Sequence, residues 1–185
     1  MRQRDEYSRT TCDSLSHHFY IIGEIHEECG WLVDLLDALD TASVDDIIYI
    51  HLNTPGGDLD VAVQIIHSIY QTKGRVITCA DGGVSSADSL LLFSGHSFKV
   101  GDYCEVMLHD GSYGQRWKFN ENLEAARAYS KRLHKLYHNV YGGFFTKREI
   151  DKVLKGGDKY LDSDETELRI NNYIDSQRKK VEDTK

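Results

Sequence analysis

Residues Gly82–Gly95, "GGVSSADSLLLFSG", pass within a few positions from glycines and hydroxyls to a closed apolar run. The change marks a loop that leads into a buried helix, with Ser85 and Ser86 at the helix start. A helix N-terminus offers unpaired N–H donors and the positive end of a dipole, which suits an oxyanion. N-capping accounts for one of the two serines. It leaves the second, and the glycines ahead of it, without a role. A nucleophile held at a strand–helix elbow therefore stays open beside the capping role.

Outward from this stretch, strand and helix patterns alternate. On the N-terminal side, "FYIIGEI" (Phe19–Ile25) predicts a strand, and Trp31, Leu32, Leu35, Leu36 and Leu39 have the one-sided spacing of a helix. "DDIIYIHLN" predicts a buried strand, and "TPGGD" breaks it with the only proline of the chain. Ala62, Ile65, Ile66 and Ile69 return to helical spacing, and "RVITCA" predicts the next strand. A helix over Ser85–Phe93 and a strand in "EVMLHDG" follow. This order predicts an α/β fold of βαβ crossovers with a mainly parallel sheet covered by helices. Residues 120–142 predict one long helix that protrudes and meets another subunit, because Tyr129, Leu133, Leu136, Tyr137 and Val140 exceed what one small domain covers. The chain divides into a polar arm (1–18, with His17 and His18 flexible), a domain (19–176) and a charged tail (177–185).

Composition excludes several classes. The chain has 185 residues, 40% of them hydrophobic, enough for one core. Its net charge of -8, without a clustered basic face, argues against nucleic acid. No apolar run approaches the ~20 residues that cross a bilayer, and the N-terminus lacks the apolar core of a signal peptide. Cys12, Cys29, Cys79 and Cys104 are scattered, and Cys79 and Cys104 are expected as buried free thiols of a reducing compartment, the cytoplasm.

In open α/β sheets, sites form where strands lead into helices. "NTPGGD" and "ADGGVSSADS" are two such loops, and adjacent glycines in the first let backbone N–H groups face a ligand. A hydroxyl nucleophile needs a base, and the base an orienting acid. His109 stands at the end of the apolar strand "VML". His134 and His138 form an i, i+4 pair without the glutamate or third ligand of a zinc site, so no metal is predicted. His51 and His67 are expected to be structural. For the acid, "KGGDKYLDSDE" offers Asp158, Asp162 and Asp164, of which the last two read as turn or cap residues.

The order "LNTPGGD", "GGVSSADSLLLFSG", "VMLHDG", "DKYLDSDE" resembles the Clp protease proteolytic subunit family, from about residue 19 to 175. That resemblance implies a crotonase-like fold with a protruding handle helix, and serine endopeptidase activity on unfolded polypeptide within a closed chamber. It implies Ser86 as nucleophile, His109 as base, Asp158 as orienting acid, and the amides of Gly57 and Ala87 as oxyanion hole. It further implies substrate bound as an added strand between Asp58–Leu59 and Gly111, Ser112, Tyr113 and Gly114, with no cofactor. The family also implies a homo-oligomer of two stacked heptameric rings and an AAA+ unfoldase partner, against which the short polar arm argues.

Asp88 departs from the family, which carries a small residue at that place. Its charge would either oppose an oxyanion or bind helix amides. It also keeps two alternatives in view: a non-catalytic ring subunit, and an acyl-CoA enzyme of the same fold.

Overall fold

Alternating burial gives the sheet one dry face. In a computed structural model, which describes residues 10–11, 16–111 and 119–183, Ile48, Ile50 and Leu52 of one strand are fully buried. The residues between them, Tyr49, His51 and Asn53, stay half-buried or exposed. The elements run β1 (Thr10–Thr11), β2 (Ser16–Ile22), α1 (Gly30–Thr41), β3 (Ile47–Thr54), α2 (Leu59–Gln71), β4 (Arg75–Ser85) and α3 (Ala87–Leu92). They continue as β5 (Ser97–Val100), β6 (Glu105–Leu108), α4 (Phe119–Tyr141), α5 (Lys147–Val153), β7 (Lys159–Leu161) and α6 (Ser163–Glu182).

The strands form one sheet in the order β1-β2-β3-β4-β6-β7, with β5 paired to β4 off that path. Neighbours from β2 to β6 pair parallel, and β1 and β7 add antiparallel strands at the ends. The fold is therefore the mainly parallel α/β architecture with a long helix that the sequence predicts. Helix α1 buries Trp31, Leu35 and Leu39 against it, and α2 buries Ala62, Ile65 and Ile69. Asp58 starts α2 by accepting hydrogen bonds from the amides of Asp60 and Val61.

Five sequence expectations change here. The described residues leave one face of β2 and β3 only half-buried, and there His18, Tyr20, Tyr49 and His51 lie in stacked contact. His17 and His18 are not in a flexible arm: they pair with Ile48 and Tyr49 in the β2–β3 ladder. On that face His18 Nδ1 lies 3.0 Å from His51 Nε2, and His51 Nδ1 lies 2.7 Å from Asp81. The glycine-rich segment before Ser86 is strand, not loop, because Gly83, Val84 and Ser85 pair with Glu105, Val106 and Met107. The apolar stripe of α4 is largely covered by the chain itself: Leu133, Tyr137 and Val140 are buried, and Tyr129 and Leu136 pack on the core. Phe93, Phe144 and Phe145 pack with Tyr141 of α4 in an aromatic cluster that absorbs this surface. Finally, α6 runs through Glu182, so residues 177–182 continue a helix.

The C-terminal elements are tied by charge. Arg169 of α6 donates to Glu149 (2.8 Å), Glu165 (2.7 Å) and the Phe144 carbonyl (3.1 Å). Lys159 of β7 joins the same two carboxylates. Partial burial would raise the Glu149 carboxyl, but hydrogen bonds from Arg169 and Thr146 outweigh it and hold it at about 2. This network fixes β7, and hence the residue just before it, Asp158.

Candidate active site

The end of β3 and the end of β4 press against each other. Thr54 closes the first turn, its hydroxyl accepting from the Gly56 amide at 2.9 Å. The turn is pinned to the segment after β2 by Ile25 N–H to Gly56 O (2.8 Å) and Asp58 N–H to Ile25 O (2.7 Å). Gly56 and Gly57 take φ values of 99° and 145°, a region that L side chains avoid. A Cβ on Gly56 would lie 2.6 Å from the Ser85 carbonyl and 2.7 Å from Ser86 Cβ. One on Gly57 would lie 2.2 Å from the Ile25 carbonyl.

Ser86 itself has φ 58°, the only positive value at a non-glycine position among the described residues. Such a conformation is costly for a residue with a Cβ and persists only where its surroundings impose it. Here the Ser86 amide donates to Met107 O (2.9 Å) while its carbonyl accepts from the Ser89 hydroxyl (2.6 Å). Neither serine caps α3. Ser85 ends β4, and the Ser86 side chain makes no capping bond. Instead Ser86 Oγ lies 2.7 Å from His109 Nε2. With the hydroxyl as donor, that nitrogen is placed to take its proton.

Two amides flank this pair without a hydrogen-bond partner among the described residues. Gly57 N–H is left over by the Ile25 bridge, and Ala87 N–H, first in α3, has no intrahelical acceptor. Both residues line, with Ser86 and His109, a cavity of about 530 Å³. Asp58, Leu59 and Gly111 line it as well. The Asp58 carboxylate is spent on the α2 cap. Ser112, Tyr113 and Gly114 lie outside the described residues.

Asp158 sits apart. Asp158 directly precedes β7 and His109 directly follows β6, so both flank the Leu108–Lys159 pair at which the ladder ends. Yet Asp158 is exposed and makes no hydrogen bond to His109. The structure thus assembles the serine, the histidine and the two amides, and leaves the aspartate unengaged. Asp162, read as a cap, does cap α6 by accepting from the Glu165 amide at 2.8 Å.

Sequence reasoning missed the cavity's roof. Tyr129, Leu133 and Tyr137 of α4 line it. Their i, i+4, i+8 spacing was the available signal, but the stripe reads equally well as a subunit contact. A Cβ on Gly111 would meet Leu133 and the Tyr129 hydroxyl at 3.0 Å, which shows how closely α4 rests on the loop after His109.

His138 contacts Asp151 at 3.1 Å, His134 is exposed, and no cluster suited to a metal ion occurs among the described residues. Nor is any helix among them long and apolar enough to cross a membrane. The cysteines Cys29, Cys79 and Cys104 are buried free thiols.

A family model for Clp protease matches residues 3–167. This chain belongs to the Clp protease family. The mainly parallel sheet and the long helix accord with that membership. At the family level it is a Clp-type peptidase.

Asp88 departs from both roles expected of it. It is fully buried, yet neither carboxyl oxygen has a hydrogen-bond partner among the described residues, so it binds no amide of its own helix. Burial pushes its carboxyl well above the usual range, which disfavours the charge that would oppose an oxyanion. It does not line the cavity, which leaves it no part in acyl-CoA chemistry there. The pH consequence has a definite sign. The unfolded carboxyl ionises near 3.8 and the folded one much higher, so Asp88 costs stability progressively as pH rises between the two. Asp88→Ala should therefore gain melting temperature relative to the parent as pH rises from 5 to 8. A gain that shrinks over that range would contradict a neutral buried acid.

Proposed function

We propose that the chain is a serine endopeptidase that cleaves unfolded polypeptide inside a ring chamber. The observation that carries this reading is the 2.7 Å hydrogen bond from Ser86 to His109 Nε2, made at a strained elbow beside two unengaged amides. In the proposed reaction Ser86 Oγ attacks the scissile carbonyl carbon as His109 takes its proton. The oxyanion so formed accepts from Gly57 and Ala87. The C–N bond then breaks as the proton passes to the leaving amine, and water hydrolyses the acyl-enzyme by the same route. Asp158, just before β7, turns from solvent to accept the imidazole Nδ1–H and so fixes the tautomer. Substrate lies as an extended strand along Asp58, Leu59 and Gly111, where main-chain hydrogen bonds favour no particular sequence.

The exposed Asp158 favours a second reading, a ring subunit of low activity. Fluorophosphonate labelling with the modified residue located by mass spectrometry separates the two. The peptidase reading expects label on Ser86, none on Ser86→Ala, and a loss of peptide turnover of up to about 10⁴ for Asp158→Asn. Unlabelled Ser86 in assembled protein would favour the inactive subunit, and label on Ser85 would overturn the site.

The ring proposal no longer rests on α4. It rests on family membership and on the open sheet face, since parallel sheets are normally covered on both sides. A neighbouring subunit in a ring would cover His18, Tyr20, Tyr49 and His51. Light scattering should return a mass of many chains, near fourteen for two heptamers. A mass of 21.1 kDa at micromolar concentration would refute assembly.

A further inference from the structure

The β6–β7 ladder ends at Leu108, so the main chain of His109 has left the sheet. Its carbonyl accepts instead from the Tyr137 hydroxyl, at 2.7 Å. One helical turn further along α4, the Tyr141 hydroxyl meets Ser89 Oγ at 2.8 Å. Ser89 Oγ in turn donates to the Ser86 carbonyl at 2.6 Å. The single Ser89 proton goes to Ser86, so Tyr141 is the donor in its own bond. Two phenols on one face of one helix thus hold the backbones of the serine and of the histidine.

Both rings are buried, and they pack edge to face at 5.0 Å. Burial first, then Asp110 at Tyr137 and the Tyr137 phenol at Tyr141, pushes both hydroxyls up, so they remain donors throughout the range in which a histidine base works. Neither hydroxyl is needed to fill the core, because the rings alone do that.

We propose that Tyr137 and Tyr141 are positioning residues that make the Ser86–His109 separation depend on the seating of α4. The inference rests on the peptidase reading. A serine and a histidine that meet through one hydrogen bond lose rate steeply when either backbone drifts, since proton transfer needs contact distance. A shift of α4 releases both anchors together, so the long helix sets the geometry of a site to which it contributes neither nucleophile nor base.

The test is Tyr137→Phe and Tyr141→Phe, each read by the rate of fluorophosphonate labelling at Ser86 and by peptide kcat and KM. Leu39→Ala, in the core contact of α1, is the control for lost stability alone. Each phenylalanine variant should label and turn over about tenfold more slowly with KM within twofold, the effect of one hydrogen bond felt in the transition state. Leu39→Ala should lose melting temperature and keep its labelling rate. Labelling at the parent rate in folded Tyr137→Phe and Tyr141→Phe would overturn the inference and leave the peptidase reading standing. So would a rise in KM with kcat unchanged. Parent protein that takes no label on Ser86 would overturn both. If Tyr137→Phe does not fold, Tyr141→Phe and Ser89→Ala, which cut the other anchor, decide the matter by the same readout.

Discussion

The turn after β3 touches the elbow after β4 so closely that no side chain fits between them. A Cβ at Gly56 would overlap the Ser85 carbonyl and Ser86 Cβ and come within 3.1 Å of the Ala87 nitrogen. That contact brings the amide of Gly57 and the amide of Ala87 to one cavity, with the Ser86 hydroxyl beside them. It also explains how Ser86 keeps a positive φ: the turn, the Met107 carbonyl and the Ser89 hydroxyl fix the backbone from three sides. Strain of ~1–3 kcal/mol at such a residue is sustained only by surroundings of that kind.

The rest of the molecule holds this contact in place. Ile25 pins the glycine turn through two backbone bonds, so the segment after β2 is as much a part of the site as the loops. Strand β6 pairs with the end of β4 on one side and with β7 on the other, which sets His109, just past its end, beside Ser86. Arg169, Glu149, Glu165 and Lys159 then clamp β7 from behind. Helix α4 closes the cavity from above.

Much of this was legible in the sequence, because it rests on periodicity and on motif order. The strand–helix alternation through residue 108 gave the parallel sheet, and four motifs in order gave the family. What escaped was set by tertiary contact. Ser86 looks like a capping serine until its φ is known, and Gly83 looks like loop until β6 is seen to pair with it. The α4 stripe of Leu133, Tyr137 and Val140 is apolar whether it meets a partner or its own domain; the aromatic cluster of Phe93, Phe144 and Phe145 decides for the domain. Strand β5, "SFKV", is too short and too mixed to register as a strand. The one-sided exposure of β3 is hidden because tyrosine and histidine satisfy a strand pattern on either face.

The close approach at Gly56 is most directly tested by Gly56→Ala. The substitution leaves the core strands intact but forces the turn away from the elbow, at a backbone φ of 99° that alanine rarely adopts. The account predicts a folded protein by circular dichroism whose Ser86 labels with fluorophosphonate at least about 10² more slowly than the parent, the scale of losing an oxyanion donor. Labelling of Gly56→Ala at the parent rate would contradict it.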